Sequence, residues 1–308
     1  VWDRRGAREY RRILAIDGNI VTVDKDVTPG VAKSSHVYGY SGMGGHALSV
    51  ADVDDDGKDE IVYKSMVVND DGAGLYSTGL RHGDALHVSD LDPSRPGQEV
   101  FGPHENEGGA WDEWTPAASL FDARNGELLW AINYGGDAGR GLTADIDPRH
   151  PGSEMWGFGK GIYSIAGTQI SEQGPRMSNF AIWWDGDELR ELVDGNRIAK
   201  WNWRTNETEI IFVARDAQAA AGTKSSPVIS ADLFGDWREE CVLRVGNSAL
   251  RIYTTTEPTK RRLFTLMHDS QYRLAIAWQN VSYNQPPHPS FFLGDSMRDP
   301  PRPRIRTR

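Results

Sequence analysis

Apolar residues in this chain come in short runs, many alternating with polar residues, and Gly, Asp and Asn bound the runs. "SLFDARNGELLW" (Ser119 to Trp130), "NFAIWWDGDELREL" (Asn179 to Leu192) and "ALRIYTTT" (Ala249 to Thr256) are examples. Long stretches with a helical period are hard to find. A period of two puts alternate side chains on one face of a sheet, so each run reads as a strand. Asn125-Gly126 suits a tight hairpin turn, because both residue types tolerate positive φ, and Gly246-Asn247 marks a second reversal. The pattern predicts an all-β chain.

The runs also repeat. "LSVADVDDDGKDEIVY" from Leu48, "LHVSDLDPSRPGQEVFG" from Leu86, "LTADIDPRHPGSEMWG" from Leu142 and "ISADLFGDWREECVLR" from Ile229 share one plan. An alternating strand leads to an Asp, then an acid-rich or Pro/Gly turn, then Glu and an apolar strand. The leading aspartates are Asp52, Asp90, Asp145 and Asp232, separated by 38, 55 and 87 residues. The longest gap holds "IWWDG" and "RIAKWNW", enough for a further sheet unit, expected to lack the acidic turn. Strand units repeating on this scale predict β-propeller blades. A β-sandwich is the alternative, but it has no need of the same turn four times.

The acids raise the question of a metal. "DVDDDGKDE" puts Asp52, Asp54 and Asp56 at alternate positions with Gly57 next, the first half of a calcium loop. Clustered carboxylates repel one another unless a cation neutralises them, and calcium takes oxygen ligands. A carbonyl from Lys58 and the carboxylate of Glu60 would complete the shell. The residues that follow read as strand, which argues against an EF-hand. A solvated acidic turn is the competing reading. Asp90, Asp92 and Glu99, and likewise Asp145, Asp147 and Glu154, form weaker sets of the same kind, with a turn held by Asx-type hydrogen bonds alone as the competing reading. Asp232, Asp236, Glu239 and Glu240 are less specific again.

Composition narrows the partners. The 308 residues are 38% hydrophobic and 25% charged, enough for a core, and the net charge of -10 argues against nucleic acid. It would also repel an acidic polysaccharide unless cations reverse the local field. One cysteine, Cys241, excludes an intrachain disulfide, and no apolar run is long enough for a transmembrane helix. "VWDRRGAREY" lacks the apolar core of a signal peptide and reads as the start of a processed chain or a fragment. The eleven tryptophans suit core anchors better than sugar-stacking platforms.

Taken together, the repeats and several longer stretches resemble the rhamnogalacturonan lyases of polysaccharide lyase family 11. The matching stretches include "GLYSTGLRHGDALHVSDLDPSRPGQEVF", "AGRGLTADIDPRHPGSEMWG", "NFAIWWDGDELRELVDGNRIAKW", "AGTKSSPVISADLFGDWREE" and "LRIYTTTEPTKRRLFTLMHDSQYRLAIAWQNVSYNQPPHPSFFLG". The resemblance covers most of the chain from about Gly45 to Gly294. It implies an eight-bladed, calcium-containing β-propeller, here with an incomplete set of blades, that cleaves the rhamnogalacturonan I backbone of pectin by β-elimination. Residues 1–44 would then be a poorly matching segment with strands of a first blade, 45–294 the lyase core and 295–308 a basic, proline-rich tail. A monomer, secreted or periplasmic, acting on an acidic cell-wall polysaccharide is the accompanying expectation.

β-Elimination needs a cation on the uronate carboxylate, a base for the C5 proton and an acid for the leaving oxygen. "AGRGL" presents Arg140 between glycines, "AGTKSSP" presents Lys224 after Gly222 and Thr223, and "NVSYNQPPH" presents Tyr283. The resemblance implies active-site roles for all three: Arg140 as carboxylate neutraliser, Lys224 and Tyr283 as the acid/base pair in either order. Pairing of Arg140 with Asp137, or a core role for Tyr283, is the structural alternative. His46, His82, His87 and His104 stand at or near strand ends and, with Gly222 and Thr223, are candidate substrate contacts. No H-E-x-x-H motif supports zinc and no G-x-S-x-G motif supports a serine hydrolase.

Overall fold

The structure is a computed structural model that describes residues 44–105, 116–132, 138–158, 161–220, 222, 224–281, 283–303 and 305, with the strand backbones of β1 (Ile13–Asp17) and β2 (Ile20–Val23). Those two strands pair with each other. Five further sheets follow in chain order. The first is β3 (Ser49–Ala51), β4 (Glu60–Tyr63), β5 (Met66–Val68) and β6 (Gly74–Ser77). The second is β7 (His87–Ser89), β8 (Glu99–Pro103), β9 (Ala118–Asp122) and β10 (Leu128–Ile132). The third is β11 (Leu142–Ala144), β12 (Glu154–Trp156), β13 (Ile162–Tyr163) and β14 (Gln169–Ser171). The fourth is β15 (Phe180–Ile182), β16 (Glu191–Asp194), β17 (Arg197–Asn202) and β18 (Glu207–Val213). The fifth has three strands, β19 (Ile229–Ala231), β20 (Glu240–Val245) and β21 (Ala249–Tyr253). Every sheet is an antiparallel meander of consecutive strands.

The sheets pack face to face in series. Val62 and Val67 of the first meet Val88, Val100 and Phe121 of the second. Phe101 and Leu120 meet Met155 and Phe158. Leu142 and Trp156 meet Ala181, Leu192 and Trp201. Phe180 and Ile198 meet Cys241 and Leu243. Each large apolar side chain withdrawn in this way contributes about 1.5–3 kcal/mol. The arrangement is all-β and propeller-like with five blades, so the eight of the family expectation are not all within the described residues.

The repeated turn has a common physical origin. Each second strand opens on a glutamate, and that residue faces the end of the first strand: Ala51↔Glu60, Ser89↔Glu99, Ala144↔Glu154, Ile182↔Glu191 and Ala231↔Glu240. The glutamate Oε2 accepts backbone N–H groups from the turn. Val53 donates to Glu60, Leu91 and Asp92 to Glu99, Ile146 and Asp147 to Glu154, and Leu233 and Phe234 to Glu240. Trp184 and Asp185 donate to Glu191 in the same way. The "IWWDG" unit, expected to lack the turn, therefore carries it. Trp183 stands where the other four repeats have their leading Asp, which hid the match.

Among the described residues one α-helix, α1 (Ser270–Trp278), follows the fifth sheet and packs against β3 and β19. Its Asp269 N-cap accepts from Tyr272 N–H at 2.8 Å. Residues beyond it cross the inner strands: Gln279 pairs both ways with the Ser230 backbone, Ser89 donates to Pro289 O, Arg190 to Pro287 O and Asp295 N–H to Asp145. The segment after α1 is thus stitched to the first strands of the second and fifth sheets and to the turns of the third and fourth.

Candidate active site

The acidic turns follow the first strand of each sheet. The segments that precede those strands, at the opposite end, are held together by backbone hydrogen bonds. His46 N–H donates to Gly83 O, Asp84 N–H to Gly139 O, Glu105 N–H to His82 O, Ala138 N–H to His104 O and Tyr283 N–H to His46 O. Gly83 has to be glycine, because a Cβ there would collide with the Pro103 carbonyl. Three sheets and the C-terminal segment meet at this end.

Asp84 is the centre of the site. It is buried, and its carboxylate receives the Lys224 ammonium in a short hydrogen bond on Oδ2. His46 Nε2 lies 3.6 Å from Oδ1. The Lys224 Nζ stands 4.4 Å above the Tyr283 ring, and the His46 ring is 4.4 Å from the same ring, centre to centre. His82 packs edge-on to His46 at 4.8 Å, bonds Gly44 O through Nδ1 at 2.8 Å and approaches Glu105 through Nε2 at 3.4 Å. Arg140 is 8% exposed. Its Nη2 donates to Asn179 O and Asn284 O, while Nε and Nη1 find no acceptor among the described residues. Burial lowers its pKa to about 10, against the attraction of Asp84, Tyr283 and Asp194. Two buried donors on a fixed cation suit an incoming carboxylate.

The structure therefore brings Arg140, Lys224 and Tyr283 together and adds His46 and His82. Gly222 is exposed beside them; Thr223 lies outside the described residues, as does Asp137. His87 and His104 correct the expectation. Each is 1% exposed and fully engaged by protein: His87 by His288 and Gly141 O, His104 by Arg81 O and Ser119 Oγ. Burial lowers the His87 pKa to about 3 and that of His104 well below its ordinary value, so both are neutral struts in the wall. Asp84 and Glu105 were missed from sequence. The signal was available for Asp84, which sits between His82 and His87, three residues before β7.

Two groups of side chains can hold a metal in this picture. Asp52, Asp54 and Glu60 bring ligand oxygens within 4.8 Å of one another. Glu60 Oε1 is buried with no partner among the described residues, and burial with the nearby Asp54, Asp52 and Asp56 raises the Glu60 pKa. An all-oxygen donor set with an unpartnered buried oxygen fits calcium. Asp56 instead accepts Lys58 N–H and pairs with the Lys58 side chain. At the opposite end, His46, His82 and Asp84 present a mixed imidazole–carboxylate set, also within 4.8 Å. A third acidic grouping, Asp185, Asp187 and Glu191, already holds the Lys200 ammonium at 2.5, 2.8 and 2.9 Å.

The remaining predicted metal sets are not gathered as closely. Arg149 forks onto Asp147, Arg95 bridges Glu99 and Asp122, and Arg238 pairs with Asp236. Asp232 caps the Gly235, Asp236 and Leu266 amides instead. Asp90 Oδ1, Asp145 Oδ1 and Glu154 Oε1 remain buried without a partner among the described residues. Burial raises Asp90 to about 6, Glu99 to about 7 and Asp145 to about 8.

Comparison with known proteins gives one consistent answer. The family model for the rhamnogalacturonan lyase family 11 C-terminal domain matches residues 24–303. The chain is 55% identical over 269 residues to rhamnogalacturonan endolyase YesW of Bacillus subtilis, covering 87% of this chain and 42% of that protein. It is 51% identical over 284 residues to the exolyase YesX of the same organism, covering 86% and 45%. The solved structure of a Bacillus licheniformis rhamnogalacturonan lyase superposes with a TM-score of 0.83 at 49% identity, over 95% of this chain and 49% of that one. The chain thus spans about half the length of the curated relatives it matches. The sequence repeats, the five sheets and the match over 24–303 lead to one conclusion: the chain belongs to rhamnogalacturonan lyase family 11, within its C-terminal domain.

Proposed function

We propose that this chain carries the catalytic centre of a rhamnogalacturonan lyase that cleaves the rhamnose–galacturonate backbone of rhamnogalacturonan I by β-elimination. The observation that carries the reading is the convergence of Arg140, Lys224 and Tyr283 around Asp84 at one end of the first strands. The Arg140 guanidinium, with two buried donors open, would take the uronate carboxylate and stabilise the charge that develops at C5. Lys224, released from Asp84, would remove the C5 proton. The C5–H pair then forms the C4–C5 double bond as the C4–O bond breaks. Tyr283 would protonate the departing rhamnose oxygen, and the two roles are interchangeable on this geometry.

His46, His82 and Asp84 would hold a divalent cation, which when bound would add Lewis-acid stabilisation of the same carboxylate. Calcium at Asp52, Asp54 and Glu60 would instead brace the first turn. An eight-bladed ring would require three sheets beyond the five described. A secreted or periplasmic monomer remains the accompanying expectation.

The test is ultraviolet absorbance of the unsaturated uronate on incubation with rhamnogalacturonan I, with and without chelator. Appearance of the absorbance supports a lyase, and its loss with chelator supports metal dependence. Reducing ends without absorbance would mark a hydrolase. Binding without product would mark a non-catalytic polysaccharide-binding propeller.

A further inference from the structure

One buried cation beneath the site has no part in the chemistry above. Lys64 occupies the two-residue turn between β4 and β5 with a φ of 59°, the left-handed region that disfavours a side chain. Its side chain is nonetheless 2% exposed and runs inward under the site. Nζ donates to Ala85 O at 2.9 Å and, in a short bond, to Pro103 O. Those carbonyls belong to the residue after Asp84 and to the strand end two residues before Glu105. Gly83 and Gly102 leave the space Nζ needs, since a Cβ at either would run into it. The nearest opposite charges acting on it are Glu105 and Asp84. A lysine kept in an unfavourable backbone conformation, with two glycines clearing its path, is there for what its ammonium does.

We propose that Lys64 is a positioning residue for this site: its ammonium clamps the Ala85 and Pro103 carbonyls, fixing Asp84 and Glu105 relative to each other, and supplies a counter-charge beneath the two carboxylates. Burial lowers its pKa to about 7, offset by Glu105 and Asp84, so the clamp depends on the charge those acids sustain. The inference rests on the lyase reading for its kinetic readout but not for its structural one.

The experiment compares the wild type with Lys64→Met, which keeps the stem and removes the donors and the charge, and with Lys64→Arg, which keeps the charge. Positioning predicts that Lys64→Met lowers kcat about 10–100-fold with KM changed much less. Its melting temperature should fall modestly, because the Ala85 and Pro103 carbonyls lose a buried donor. Lys64→Arg should recover part of the lost kcat. In long-range ¹H–¹⁵N spectra the His82 imidazole, 3.4 Å from Glu105, should shift in Lys64→Met. Full activity in Lys64→Met, a loss of kcat that Lys64→Arg does not reduce, or an unmoved His82 signal would each overturn the proposal. If the wild type itself forms no unsaturated product, the lyase reading fails, and the His82 spectrum still decides the clamp.

Discussion

The ammonium of Lys200 lies 2.9 Å from Glu191 Oε1, inside the acidic turn of the fourth sheet. Lys200 reaches there from β17, one strand away, and also bonds Asp185 and Asp187. The fourth turn has its cation built into the chain, whereas the Asp52, Asp54 and Glu60 group of the first has no such side chain on it among the described residues. Burial pushes Glu191 up to about 8, with Lys200 pulling the other way. Lys200→Met should therefore destabilise the protein by about 3 kcal/mol, the typical cost of stranding one member of a buried pair. Calcium should restore part of the loss in Lys200→Met and leave the fourth turn of the wild type unaffected. Thermal melts with and without calcium check this.

The glutamate that opens each second strand is an anchor before it is a ligand. Glu99 Oε2 accepts two turn amides, at 2.9 and 3.1 Å. Glu99→Ala would leave both N–H groups without that partner and lower stability by about 2–4 kcal/mol. Glu99→Gln keeps an acceptor and should lose less than half of that. Denaturant midpoints of the two variants give the comparison.

His87, His104 and His288 are buried neutral, all with lowered pKa values, His87 to about 3. Each takes up a proton on unfolding once the pH drops below about 6.5, so the stability they confer above that value is lost as pH falls toward 3. Asp145 and Glu99 act oppositely. Their raised native values confer stability below about 4 that is lost as pH rises through about 8 and about 7. The net slope mixes both, so the difference between proteins isolates one group. Between pH 7 and pH 5 the wild type should lose on the order of 1–2 kcal/mol more than His104→Gln, measured as the shift in urea midpoint.

Arg140 is expected to be irreplaceable even by lysine. Its Nη2 donates to the Asn179 and Asn284 carbonyls, and Nε and Nη1 remain without an acceptor among the described residues. Arg140→Lys should reduce kcat/KM about 10–100-fold, the loss of one or two charge-assisted hydrogen bonds. Asp84→Asn, which unseats Lys224 from its carboxylate, should reduce it at least as much. Both variants should melt close to the wild type, and an activity loss that simply tracks melting would refute the assignment.

Strand period and repeated turns made the sheets legible, because they report which backbone groups a turn must satisfy. The fourth turn escaped because Trp183 occupies the position held elsewhere by Asp, and the conserved element of the plan was Glu191 rather than the leading acid. Arg140, Lys224 and Tyr283 were legible through the family resemblance, and glycine-rich surroundings alone would not have joined positions so far apart in the chain. His87 and His104 were misjudged because a histidine near a strand end looks the same in sequence whether it faces solvent or a neighbouring sheet. Lys64 lay inside a stretch that reads as strand. Only the third dimension put its ammonium under Asp84.

The C-terminal segment follows every sheet in the chain, yet it is bonded to the first strands of the second and fifth and to the turn of the third. Each sheet is local in sequence, but the contacts that join the second, third and fifth form only once the segment after β21 docks. Nicking the chain between β21 and α1 should be far more damaging than nicking an outer loop, because it releases the piece that turns five neighbouring sheets into one cooperative body.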